Sequence, residues 1–178
     1  MPNWCYNCVN IEASKEDFKA FREKMGSFFS FEKITPTPDE LVHQSAPTRD
    51  KALAEEFTAK YGASDWHAWR TMKWGTKWDI EEEDFIHQNP HWVDVDEYES
   101  NVTLTFDTAW GPPLIALAEL TRQYPSMTIE VEYFEPGMEF AGNADISEGN
   151  INDIQYNGCS QEYLAIAENF GYDIEVSE

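Results

Sequence analysis

Residues 101–134 constrain the fold most. Val102, Leu104 and Phe106 alternate with Thr103, Thr105 and Asp107, the period-two pattern of a half-buried strand. Pro112 and Pro113 follow where a helix would start, and Leu114, Leu117, Ala118 and Thr121 make one helical stripe. Beyond Pro125, Ile129, Val131 and Tyr133 alternate with Glu130 and Glu132. Strand, helix and strand in that order form a β-α-β unit, whose crossover is right-handed.

The N-terminus predicts a second such unit. Trp4–Ile11 reads as a strand and Lys15–Met25 as a helix capped by Ser14, with Phe18, Phe21 and Met25 on its inner face. Phe29–Ile34 is then expected to be the returning strand, ended by Pro36 and Pro38. Two units predict an α+β protein with a ferredoxin-like antiparallel sheet and two helices on one face.

One domain is expected over residues 1–178, with two elaborations. Residues 36–73 read as a helical insertion, built from a helix bearing Leu53, Phe57 and Tyr61 and a shorter one bearing Trp66 and Trp69. Residues 137–178 read as an extension. Phe140–Ala144 and Ile151–Tyr156 form a hairpin turning at Gly149-Asn150, and Ser160 caps a helix bearing Tyr163, Ile166, Ala167 and Phe170. Lys77–Ile80 is expected as a short strand, Ile174 and Val176 as a terminal edge, and the rest of 79–100 as surface chain.

Charge divides the chain. Residues 1–78 hold 11 acidic and 11 basic side chains, whereas residues 79–178 hold 23 acidic residues and the single cation Arg122. The whole net charge of -22 therefore belongs to the second half. Self-repulsion of that size opposes compaction, and its concentration in one half points to a cationic partner. It argues against direct nucleic-acid binding, which needs cations to displace counterions. The candidate partner-binding residues are Glu81, Glu82, Glu83, Asp84, Asp94, Asp96, Glu97, Glu99, Glu130 and Glu132.

Signals for catalysis are weak. Cys5 and Cys8 have C-x-x-C spacing but fall within a strand, where residues three apart face opposite ways. His87 and His91 are separated by Pro90, which prevents the helix that would align them on one metal. The acidic loops at 94–99 and 145–153 lack the EF-hand pattern. Paired carboxylates carry no information where 34 acids are available, and no nucleophile elbow, phosphate loop or dinucleotide fingerprint occurs. The expectation is no catalytic residue, metal or cofactor. No apolar run is long enough to span a membrane, and the start of the chain does not read as a signal peptide, so a cytoplasmic protein of a bacterial host cell is expected. Oligomeric state is left open.

Four stretches, Met1–Asn7, Trp74-Gly75-Thr76-Lys77-Trp78, Thr105–Pro113 and Tyr133–Gly142, together resemble the YubB-like family of phage and conjugative-plasmid proteins. That resemblance implies a ferredoxin-like domain of unknown function in a mobile-element setting, where small accessory proteins bind and disable host factors. It supplies no catalytic residues. The reading is an accessory protein whose acidic face binds a basic host protein, in its sharpest form a nucleic-acid-mimicking inhibitor of a restriction or CRISPR-type defence nuclease. The alternatives are an enzyme with a pocket near Trp74, Trp78 and Trp110, or a plain acidic interaction module.

Overall fold

The structure is a computed structural model that describes residues 2–95, 99–158 and 160–174. Five antiparallel strands form one sheet in the order β2-β1-β3-β4-β5: β1 Trp4–Glu12, β2 Asn101–Ala109, β3 Thr128–Glu135, β4 Phe140–Ser147 and β5 Asn150–Asn157. Helix α1, Lys15–Met25, follows β1, capped by Ser14, whose Oγ accepts from the Asp17 N–H. Between α1 and β2 run α2 Phe31–Ile34, α3 Asp39–Val42, α4 Lys51–Tyr61, α5 Trp66–Trp74, α6 Glu82–Gln88 and a 3-10 turn, Trp92–Asp94. Helix α7, Leu114–Gln123, joins β2 to β3, and α8, Gln161–Asn169, follows β5.

The β2-α7-β3 unit forms as expected, and β1 lies between its two strands. The strand expected over Phe29–Ile34 does not form; residues 31–34 are the helical turn α2. The cause is distant in sequence. Asp79 accepts from the Phe31 N–H at 2.6 Å, the Glu32 N–H at 3.3 Å and the Ser30 hydroxyl at 2.5 Å. A carboxylate on these N–H groups caps a helix start and favours a turn over a ladder.

Three smaller expectations change. Lys77–Ile80 forms no strand, and the hairpin turns at Glu148-Gly149, one residue earlier than expected. Segment 79–95 is more than surface chain, since Phe85 and Trp92 are fully buried. Ile174 lies in no strand, and Val176 falls outside the described residues.

Packing follows the strand alternation. The odd residues of β1 and the inward residues of its neighbours, Cys5, Val9, Ile11, Leu104, Phe106, Ile129 and Val131, face α1, α7 and the inserted helices. Phe21 meets Phe29, Trp92 and Tyr124 edge-on at 5.9–6.2 Å, and Phe31 meets Trp74 at 5.9 Å. The two fully buried indoles are satisfied: Trp74 Nε1 donates to the Thr35 carbonyl and Trp92 Nε1 to that of Gly26, each at 3.0 Å. On the opposite face α8 covers one end with Tyr163, Ile166 and Ala167 over Phe134 and Ala141. The rest of that face is left to Cys8, Asn10, Glu130, Glu132, Asn143 and Asp145, which line a shallow groove.

Candidate functional site

The sequence motifs meet at one end of the sheet, where most of their residues are structural. Asn7 is buried and its Nδ2 donates to the carbonyls of Cys5 and Phe106 and to Thr108 Oγ1 at 2.9–3.0 Å. Thr108 in turn donates to the Gly111 carbonyl and Thr76 to that of Ala109. Gly75 has φ +88°, and a Cβ there would stand 3.1 Å from the Pro112 carbonyl oxygen. Glycine at this position permits both the left-handed turn and the close approach. Glu135 is fully buried and accepts from the Gly137 and Met138 N–H groups, so it holds the β3–β4 turn.

What this scaffold presents outward is aromatic. Trp4, Trp78 and Trp110 are 43%, 38% and 47% exposed, and the Trp4 and Trp78 rings stand 6.0 Å apart. Trp110 sits at φ +75°, where a bulky side chain is strained. Its N–H donates to the Asn3 carbonyl. The Lys77 ammonium lies 3.9 Å from the Trp78 ring centroid and 6.0 Å from that of Trp110, so this surface already receives one cation.

Beside Trp4 opens a cavity of about 300 Å³ at the β2 edge. Trp4, Ile80, Phe85 and Phe106 supply its apolar lining, and Asp79, Glu81, Asp84 and Asp107 its carboxylates. Burial, followed by the charge of Asp84, holds the Asp107 carboxyl above the ordinary carboxylate range. Asp79 is committed to capping α2. Glu81, Asp84 and Asp107 therefore give the cavity its negative field.

The acids expected from sequence separate into two places. Glu81 and Asp84 line the cavity, and Glu82 and Glu83 are exposed on α6 beside it. Glu130 and Glu132 line the sheet groove, where Glu130 stands opposite Asp145. Like charges in register destabilise a strand pair. Asp94 lies in the 3-10 turn and Glu99 just before β2, while Asp96 and Glu97 fall outside the described residues. Trp4, Asp79 and Asp107 were missed. Asp107 was legible as an outward position of the alternating strand; Trp4 was legible only as the start of β1.

The other chemical candidates find no site. Among the described residues no three His, Cys, Asp or Glu side chains gather as metal ligands. Cys5 is buried in the core and Cys8 lies on the groove side, both as free thiols. Burial first, then Glu132, raises the Cys8 thiol above its ordinary value, the reverse of nucleophile activation. Among the described residues no helix is long and apolar enough to cross a membrane.

A family match decides the affiliation. Residues 73–175 match the family described as the ferredoxin-like domain in Api92-like protein. The chain belongs to this family. Its match begins just before the Trp74–Trp78 motif and runs through α8, so it takes in the C-terminal extension beyond Gly142, where the last of the four resembling stretches ends. Strand β1, paired between β2 and β3 in the sheet, lies outside the matched span. A solved structure, protein api92 from Yersinia pseudotuberculosis, is similar at 11% identity with a TM-score of 0.42, covering 90% of this chain and 100% of that one. Among curated proteins none matches.

Proposed function

We propose that this Api92-like protein is a non-catalytic binding protein whose acidic surface takes a basic protein partner. One observation carries the reading: the exposed Trp4, whose ring stands 6.0 Å from that of the exposed Trp78, lines a cavity whose charged lining is entirely carboxylate. Exposed aromatics are enriched where proteins meet, and a Trp wall beside carboxylates suits an arginine or lysine side chain. The cavity lining includes no His, Ser, Thr, Cys or Lys to act as nucleophile or base beside the acids. The finer form is a phage or plasmid accessory protein in the bacterial cytoplasm, whose carboxylates stand in for phosphates before a host defence nuclease. The YubB-like resemblance supports the setting. Glu130 and Glu132, two residues apart on one strand face and so about 6.6–6.8 Å apart, support the mimicry.

The test is fluorescence anisotropy with an arginine-rich synthetic peptide, at low and then high salt. Binding is expected at low salt, weakening at least tenfold in Trp4→Ala and in Asp84→Lys. Equal affinity in wild type and both variants would remove the cavity from the reading. For the finer form, a host nuclease captured by the protein should be released by duplex DNA.

A second reading has one observation in its favour. Asp107, held protonated more readily than an ordinary carboxyl beside Asp84, is what an acid–base pair requires. It predicts turnover of a small-molecule substrate that Asp107→Asn abolishes while peptide binding persists.

A further inference from the structure

The outer edge of β5 is bare. Strand β5 pairs with β4 over all eight residues Asn150–Asn157, and among the described residues no strand lies on its other side. The hairpin closes through the two residues Glu148 and Gly149, at φ +51° and +78°. A two-residue loop of this kind makes its flanking pair, Ser147 and Asn150, hydrogen-bonded. Residues 150, 152, 154 and 156 therefore turn their backbone groups to β4. Residues 151, 153, 155 and 157 turn theirs outward.

Natural edge strands are usually protected by lysine, proline, a bulge, brevity or an inward-pointing charge, and of these β5 has only Asp153, on the core side, where it accepts from the Tyr133 hydroxyl. Here the register is continuous and Asn150–Asn157 contains neither lysine nor proline. Ile151 and Ile154 are 40% and 52% exposed. The edge is long, regular and partly apolar, which is the geometry that receives an added strand.

Charge selects the occupant. Strands β3 to β5 carry Glu130, Glu132, Asp145 and Asp153 on their sides, with Glu139 and Glu148 in the turns. Arg122, the one cation of residues 79–178, is fixed at the hairpin turn by donation to the Gly149 carbonyl at 2.9 Å. Pairing two copies would bring two chains of net charge -22 together, with Asp153 near the junction. We propose that the β5 edge takes an extended, lysine- or arginine-bearing segment of the partner as a sixth strand. This rests on the reading of a basic partner and specifies how it is held. Backbone hydrogen bonds to Ile151, Asp153 and Gln155 supply the register, since the Asn157 carbonyl already accepts from the Ser160 N–H, and the flanking carboxylates supply the preference for cations.

The probe is a synthetic peptide of alternating lysine and valine as long as β5, titrated into the full chain. Amide hydrogen exchange should show new protection at residues 151, 153 and 155. Gln155→Pro, which removes an outward N–H and leaves the β4 ladder intact, should weaken binding at least tenfold. Protection of those amides without peptide, together with a doubled mass in sedimentation, would assign the edge to a second copy and overturn the proposal. Binding with no new protection at β5 would also overturn it; if Trp4→Ala abolishes that binding, the basic-partner reading survives. No binding of either the arginine-rich or the alternating peptide would sink both.

Discussion

The two edges of the sheet are finished in opposite ways. At β2 a side chain completes the ladder. Asn89 Nδ2 donates to the Thr105 carbonyl at 2.7 Å, and Asn89 Oδ1 accepts from the Thr105 N–H at 2.8 Å. One amide thus does locally what a neighbouring strand would do, and α6 with the Trp92 turn packs beneath it, burying Phe85 and Trp92. At β5 the outward backbone groups of Ile151, Asp153 and Gln155 have no neighbouring strand among the described residues. The same antiparallel sheet therefore has one edge closed by an insertion and one left open. Satisfying an edge takes neither a strand nor a charged residue, only donor and acceptor in the right fork.

The largest expected effect tests what lies under the closed edge. Trp92 is buried, packs 5.5 Å from Phe85 and 5.9 Å from Phe21, and has the Arg22 guanidinium 3.6 Å from its ring centroid. Trp92→Ala should cost about 3–5 kcal/mol, the range for truncating a buried aromatic, read from denaturant unfolding. Ile154→Ala at the open edge should cost less than about 0.5 kcal/mol. Similar losses at the two sites would mean that β5 is covered in solution.

Asn89 isolates the edge from the core below. Its Nδ2 also donates to the Phe85 carbonyl at 2.9 Å, a carbonyl that keeps the residue-89 backbone N–H at 2.8 Å, so Asn89→Ala leaves α6 capped by its backbone and leaves the Thr105 N–H and C=O unpaired. The expected loss is about 1–3 kcal/mol, the cost of stranding buried polar groups. A second consequence sharpens the comparison. With β2 opened, concentration-dependent association should appear in sedimentation. If the variant is destabilised but associates no more than the wild type, α6 rather than the amide guards the edge.

How much of this was legible depended on how local the cause was. The helices α1 and α8 could be read from Ser14 and Ser160, because each cap lies within three residues of the group it satisfies, and Asp50 and Asp65 cap α4 and α5 at the same short range. The turn at Phe31–Ile34 could not. Its cap is Asp79, and Phe29, Phe31 and Ile34 spaced among Ser30, Glu32 and Lys33 suit strand or helix equally until that carboxylate is placed. The same holds for Asn89, whose pairing with Thr105 spans 16 residues. At the candidate site the charge excess was legible and its partition was not. Glu81 and Asp84 reach the cavity because α6 docks on β2. Glu130 and Glu132 face the groove because strand parity sends them away from the core. Composition counts acids; only the sheet sorts them by face.

The smallest effect is the one that probes the cavity itself. The Asp107 carboxyl is held above the ordinary range by burial and by Asp84, so the folded chain binds this proton more tightly than the unfolded chain does. Stability from this group is then fully present below the unfolded value of about 3.9, and it falls as pH rises through the raised folded value. Above both values the ionised Asp107 faces Asp84 at a net cost. Asp107→Asn should therefore raise the melting temperature slightly at neutral pH and leave it unchanged near pH 3. Because the carboxyl is only about half buried, solvent screening keeps the gain small. The bound state reverses the sign: a lysine or arginine in the cavity would draw Asp107 back toward ionisation. Saturating arginine-rich peptide should erase the neutral-pH advantage of Asp107→Asn, because wild type then gains binding energy that the variant lacks. An advantage that persists at saturation would place the peptide elsewhere on the acidic surface.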